Sequence, residues 1–246
     1  MVNFCVRLLV LVFLLTSFAL PAFALTEAQV VERLATIPIF VIADSQGIPL
    51  VGTNGDKDSD RVLPFFLSPQ DAETTLKQIQ SSNAELEPQI LARSMRDMYN
   101  FVHTNQDKGI IYQLVPSESS LQAAAAIFGG DGEELPNVPV FFAVEMTDEQ
   151  TPNLFTVAQG EQVFIPFFFE REDLDRLIAQ VNANDKTNKQ PQVRVVSFFQ
   201  VLNSMVDNGE TQVAPEVERF TFFAAQKSFD WIRDNLKPEA DTTNQT

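Results

Sequence analysis

One cysteine, Cys5, and one histidine, His103, are all the thiol and imidazole in this 246-residue chain. Cys5 lies inside an N-terminal apolar leader, so the mature chain is expected to hold no cysteine. That excludes a disulfide framework, a thiolate nucleophile and a Cys-based metal site. Glycine is scarce, with nine residues, and neither G-x-x-x-x-G-K-[ST] nor G-x-G-x-x-G occurs, so no loop is built to cradle a phosphate. There is no G-x-S-x-G elbow and no S-x-x-K motif. A catalytic base at His103 would have neither a nucleophile nor an orienting acid. It reads as a helix-end histidine favoured by the dipole. No cofactor is expected, and the chain is expected to catalyse no reaction.

Long apolar runs are also missing beyond the leader. There, Arg7 is followed by thirteen apolar or small residues at 8–20. Pro21 and the small-x-small pattern Ala22-Phe23-Ala24 follow, as a signal peptidase requires. The run is short of the roughly 20 residues of a spanning helix. Residues 1–24 are therefore expected to be a signal peptide cleaved after Ala24, leaving no integral membrane segment. Basic residues are few: 17 against 33 Asp and Glu, for a formal charge of −16. Losing Arg7 makes it −17. Such a surface repels nucleic acid and anionic lipid, so no nucleic acid partner is expected.

What the sequence does contain is a self-match. Thr36-Ile37-Pro38-Ile39-Phe40 returns as Asn137-Val138-Pro139-Val140-Phe141, and Leu63-Pro64-Phe65-Phe66 as Ile165-Pro166-Phe167-Phe168. Pro88-Gln89-Ile90 returns as Pro191-Gln192-Val193. The order is kept while the offset drifts from 101 to 103, which chance matches would not do. The reading is an α+β protein of two pseudo-symmetric repeats, 25–132 and 133–246, each a mostly antiparallel sheet with packed helices. They join near Gly129-Gly130-Asp131-Gly132.

Within the first copy, 37–43 and 48–52 read as a hairpin about the turn Asp44-Ser45-Gln46-Gly47. The strand Leu63–Leu67 runs into a helix with Ser68 as N-cap, Pro69 at its first position and Asp71 at the third. Leu91, Met95, Met98 and Val102 share a helical stripe, as do Val195, Phe198, Phe199, Leu202 and Met205. The strand Ile110–Val115 leads to a helix at 117–128, and Phe220–Ala224 to one at 226–236. Lys237 onward reads as a polar tail.

Asp56, Asp58 and Asp60 alternate as in the opening of a calcium loop. Arg61 stands where its glycine belongs and Leu67 where its bidentate Glu belongs, so a solvated loop is the reading. Acidic residues at 170–175 read as a helix N-terminus facing water. The remaining oddity is paired phenylalanine: Phe65-Phe66, Phe141-Phe142, Phe167-Phe168-Phe169, Phe198-Phe199 and Phe222-Phe223. Neighbours on a strand face opposite sides, so either helices cover both faces or one face is open to something apolar. Phe40 with Phe141, and Phe66 with Phe168, are the candidate apolar client-binding grooves, with core packing as the alternative.

The blocks ERLATIPIFVIADSQGIPLV (32–51), LPFFLSPQDAETTLKQI (63–79), NVPVFFAV and IPFFFEREDLDRLI resemble the Tic22-like family. Its plastid members are soluble intermembrane-space components of protein import, and its cyanobacterial members look like exported proteins of the periplasm or thylakoid lumen. The resemblance implies an ATP-independent, chaperone-like factor in protein translocation and outer-membrane protein biogenesis. Its partners would be unfolded or exported proteins and Omp85-type barrel-assembly machinery. A docking adaptor for one folded partner, and a hydrolase using an unrecognised serine or acid pair, stand as alternatives. The family fixes no catalytic residue.

Overall fold

The computed structural model describes residues 25–53, 61–83, 85–128, 134–146, 152–184, 191–206 and 216–236. The leader with Cys5, the Asp56/Asp58/Asp60 loop, the 129–132 joint and the tail from Lys237 lie outside the described residues.

Thr26 opens helix α1 (Glu27–Arg33) through a reciprocal cap: its hydroxyl accepts from the Gln29 N–H while the Gln29 side chain accepts from the Thr26 N–H. A single 3-10 turn at Leu34–Thr36 delivers the chain to strand β1 (Pro38–Ala43), all six residues of which are buried. The following turn is held by the Asp44 carboxylate, which accepts from the N–H groups of Gln46 and Ile48, with Gly47 at φ 81. The return arm is shorter than the hairpin expectation. Leu50 N–H reaches Ile42 O at 2.9 Å, but Pro49 has no N–H to extend the ladder. The chain then crosses over as β2 (Gly52–Thr53) to pair with β3 (Arg61–Phe66).

Helix α2 (Pro69–Ser82) begins as expected, with the Ser68 hydroxyl accepting from the Asp71 N–H. Leu91 is not helical, contrary to the expected stripe: it lies in β4 (Gln89–Ser94), which runs antiparallel to the whole of β1. Helix α3 (Met95–Thr104) starts only at Met95, because Ser94 and Asp97 form a capping box there and hold the Asp97 carboxyl below its usual range. Met95 N–H closes on Ile37 O at 2.7 Å. Met95, Met98 and Val102 still join one core. Strand β5 (Ile110–Val115) then lies parallel to β3, in a sheet whose other pairings are antiparallel, as expected. The connection through α2, β4 and α3 is long enough to return the chain to the same end of the sheet. Helix α4 (Glu118–Ile127) ends this half.

The second half contributes β6 (Pro139–Met146), β7 (Pro152–Leu154), β8 (Val157–Gln159), β9 (Gln162–Phe168), α5 (Arg171–Asn184), β10 (Gln192–Ser197), α6 (Phe198–Met205), β11 (Phe220–Phe223) and α7 (Gln226–Asn235). Val195 is a strand residue, as Leu91 is, and Phe198 N–H closes on Val138 O at 2.8 Å. The first sheet runs β2-β3-β1-β4 with β5 on β3; the second runs β10-β6-β9-β11 with β7 on β6 and β8 on β9. Phe40 faces Phe66 across β1 and β3, and Phe141 faces Phe168 across β6 and β9.

Three apolar clusters fill the space. The central one joins the inner faces of both sheets, with Ile39, Val41 and Phe65 from one and Val140, Ile165 and Phe167 from the other. The two outer clusters are closed by helices that have changed places. Phe40, Ile42 and Phe66 lie under α2 and also under Trp231 and Ile232 of α7. Phe141, Ala143 and Phe168 lie under α5 and also under Ala123, Ala124 and Ile127 of α4. Each half thus sends its last helix to the other half's sheet. Trp231 stands edge-on to Phe40 at 5.2 Å and donates its indole N–H to Glu73 at 2.6 Å. With helices on the outer faces and a shared core on the inner ones, consecutive phenylalanines are what the strands require.

Candidate functional site

Phe40 and Phe141 are 0% exposed, Phe66 5% and Phe168 7%. The first three are core residues and offer no surface. Phe168 also lines an open, mainly apolar cleft between α5, β11 and the start of α7.

The cleft follows from how β11 ends its sheet. β11 pairs with β9, parallel to it, on one side, and among the described residues no strand lies on the other. Phe169 N–H donates to Phe223 O at 3.3 Å, toward β9. In a parallel strand the adjacent residue then turns its N–H and C=O the opposite way, so Phe222 directs its backbone to the open edge. Along that edge run two adjoining clefts of about 670 Å³ and 550 Å³, which meet at Thr36, Thr221 and Phe222. Leu177, Phe223 and Phe229 line the first, with Asp173 and Arg176 at its rim; Val163 and Phe164 line the second. Phe229 and Val163 are 45% and 44% exposed, so apolar surface faces outward at both ends.

Arg33 anchors the wall of the second cleft, a role the sequence reading missed. One guanidinium nitrogen donates to Val217 O at 3.0 Å and Phe220 O at 2.7 Å, and the other to Glu218 O at 3.1 Å. Burial lowers the Arg33 pKa and the nearby Glu218 carboxylate opposes that shift. The guanidinium thus bonds three carbonyls, of which Val217 O also accepts from the Phe220 N–H. Arg33→Leu is expected to cost about 2 kcal/mol, because the part-buried Phe220 O would lose the charged donor it accepts from, read as a lower urea midpoint at unchanged slope.

The acidic group at 170–175 also differs from its expectation. Glu170 does not face water: its side chain is 12% exposed and accepts from Ser117, from Ser119 at 3.0 Å and from Lys227 at 2.8 Å. Asp173, 10% exposed, accepts from the Gln226 N–H at 3.0 Å and so caps α7. These carboxylates fasten the N-termini of α4 and α7 to α5. Only the register that exchanges the helices brings them together, so sequence spacing gave no signal of it. His103 lies in the last turn of α3, exposed and stacked on Tyr99 at 6.2 Å. Among the described residues no group of three or more His, Cys, Asp or Glu could hold a metal ion, and no helix is long and apolar enough to cross a membrane.

Comparison with known proteins agrees with this geometry. No curated protein matches the chain. Tic22 from Plasmodium falciparum superposes with a TM-score of 0.65 at 21% identity, over 83% of this chain and 96% of that one. Anabaena Tic22, described with protein transport, superposes with a TM-score of 0.65 at 18% identity, over 87% of this chain and 100% of that one. Both share the fold. The model of the Tic22-like family matches residues 15–213, from ahead of α1 to beyond α6, and the chain belongs to that family.

Proposed function

We propose that this protein is a non-catalytic, ATP-independent carrier in protein transport, which shields apolar segments of unfolded exported proteins in the groove beside β11. The observation that carries the reading is that groove: an apolar floor at a sheet edge that no described strand covers, on a chain of net charge −16. Apolar surface takes up a client's exposed segment, and the surrounding negative charge keeps the complex dispersed. The protein transport role of the Anabaena relative supports the same reading. The setting we propose is the periplasm or thylakoid lumen, reached after the 1–24 leader is removed. Omp85-type barrel assembly is the receiving machinery. We further propose that 25–132 and 133–246 are two copies of one unit. The recurring blocks and the matching Phe40–Phe66 and Phe141–Phe168 pairs support this.

The test dilutes a denatured outer-membrane barrel protein, or a non-barrel control, into buffer with and without the mature chain and follows light scattering. Suppression is expected, and Phe229→Ser with Val163→Ser is expected to lose most of it. Both side chains are nearly half exposed, so this pair should leave the melting temperature close to wild type. No suppression at several-fold excess would sink the carrier reading and leave the docking adaptor for one folded partner.

A further inference from the structure

Two unrelated observations single out the same peptide bond. The Ala22-Phe23-Ala24 pattern sets the cleavage point just before Leu25, and Leu25 is itself built into the body. Its side chain is 8% exposed within the central core. Its N–H donates to Met205 O at 3.0 Å, and the residue forms a parallel bridge with Val206. Met205 is the last residue of α6, whose last turn holds no basic side chain and whose C-cap, Val206, is extended. The final carbonyls of a helix lack intrahelical donors and concentrate the negative end of its dipole.

We infer that cleavage after Ala24 creates an ammonium site: the new α-amino group of Leu25 seats on the terminal carbonyl of α6 and tightens the mature protein. Hydrolysis consumes one water, leaves a carboxylate on Ala24 of the released leader and places a protonated amine at Leu25. Before cleavage Leu25 offers one neutral N–H to Met205 O. Afterwards it offers a charged donor at the pole of the helix that favours positive charge. The inference rests on leader removal and is independent of what the groove binds.

The neighbouring ionisable groups leave that charge to the helix terminus. On α1, Glu27 accepts from Tyr99, Glu32 pairs with Arg96 at 2.8 Å and Arg33 is held by the carbonyls at 217–220. On α3, Asp97 is engaged by Ser94, Tyr99 by Glu27, and His103 lies against Tyr99. α6 itself has no ionisable side chain, and the 3-10 turn Val217–Arg219 packed against it brings Glu218, beside the Arg33 guanidinium, and Arg219. Asp207 follows Val206 in sequence and lies outside the described residues, so it is controlled by substitution.

The test compares the chain beginning at Leu25, released from a fusion without extra residues, with the same chain carrying Gly-Ser-Gly-Ser ahead of Leu25. Both keep the Leu25 N–H, and only the position of the amine differs. The chain beginning at Leu25 is expected to melt about 2 °C higher at pH 6.5 in low salt, in the Asp207→Asn background as well. An amine bound to a helix C-terminus has a raised pKa in the folded state. Its contribution is therefore complete below the unfolded value of about 7.7–8.0 and disappears as pH rises through the folded value. The difference should have vanished by about pH 10. N-terminal sequencing of the exported protein should read Leu-Thr-Glu-Ala. Equal melting at every pH, a difference that persists unchanged to pH 10, or a mature N-terminus elsewhere would each overturn the inference.

Discussion

Without α7, the chain 25–225 is expected to show no cooperative unfolding transition. Removing that helix strips Trp231 and Ile232 from the outer face of the first sheet and uncovers Phe40 and Phe66. It also removes the Ser228 hydroxyl from Leu67 O and the Lys227 ammonium from Glu170. An aromatic truncation alone costs about 3–5 kcal/mol, and a whole domain holds only about 5–15 kcal/mol. Loss of a complete helix cover therefore takes up most of the reserve. Near-ultraviolet circular dichroism and a urea titration would show the loss as a vanished aromatic signal and a broad, shallow curve. The same logic predicts that 25–132 does not fold alone, since its α4 has no sheet to cover and its first sheet no second helix. Co-expressed with 133–246, it should copurify as a folded pair. A cooperative transition in 25–225 of wild-type midpoint would show that α7 is a dispensable appendage.

The second large effect is at the paired phenylalanines. Phe40→Ala and Phe141→Ala are each expected to lower stability by about 3–5 kcal/mol, or about 10 °C in melting temperature for a chain of this size. Both rings are fully buried, each beneath a different pair of helices, so neither void can be filled by solvent. The two positions are in separate clusters, and their effects should add. Ile48→Ala, at a residue 57% exposed, should change stability by about 0.5 kcal/mol or less. If aggregation suppression survives in either phenylalanine variant while it remains folded, the groove beside β11 is favoured over these positions as the client surface.

Local chemistry made much of this architecture readable in advance. Ser68-Pro69 with Asp71 announced α2, and Ile110–Val115 was visible as a strand because it is a short run rich in β-branched, aromatic and other apolar residues. The stripes through Leu91 and Val195 misled because a strand that runs straight into a helix keeps one apolar face across the junction. Ser94 carried the signal that could have divided them, through its box with Asp97. Phe40 was ambiguous for a related reason: an apolar run has no periodicity to say which face is covered. The helix exchange was beyond reach altogether. An Ala-rich α4 fits either sheet, and the choice is made by Glu170, Ser117 and Lys227, more than 50 residues apart in sequence. Arg33 and the β11 edge depend on the same long-range register.

The crossing of α4 and α7 has a consequence for timing. The sheet made first, from residues 38–115, is closed by the helix made last, at 226–235. A chain emerging from a ribosome, or threading through a pore, cannot complete the outer layer of its first sheet until α7 is free. Domains that close early can jam such passage, whereas this order of assembly keeps the growing chain open along its length. Closure of that layer is thereby deferred to the moment α7 is released.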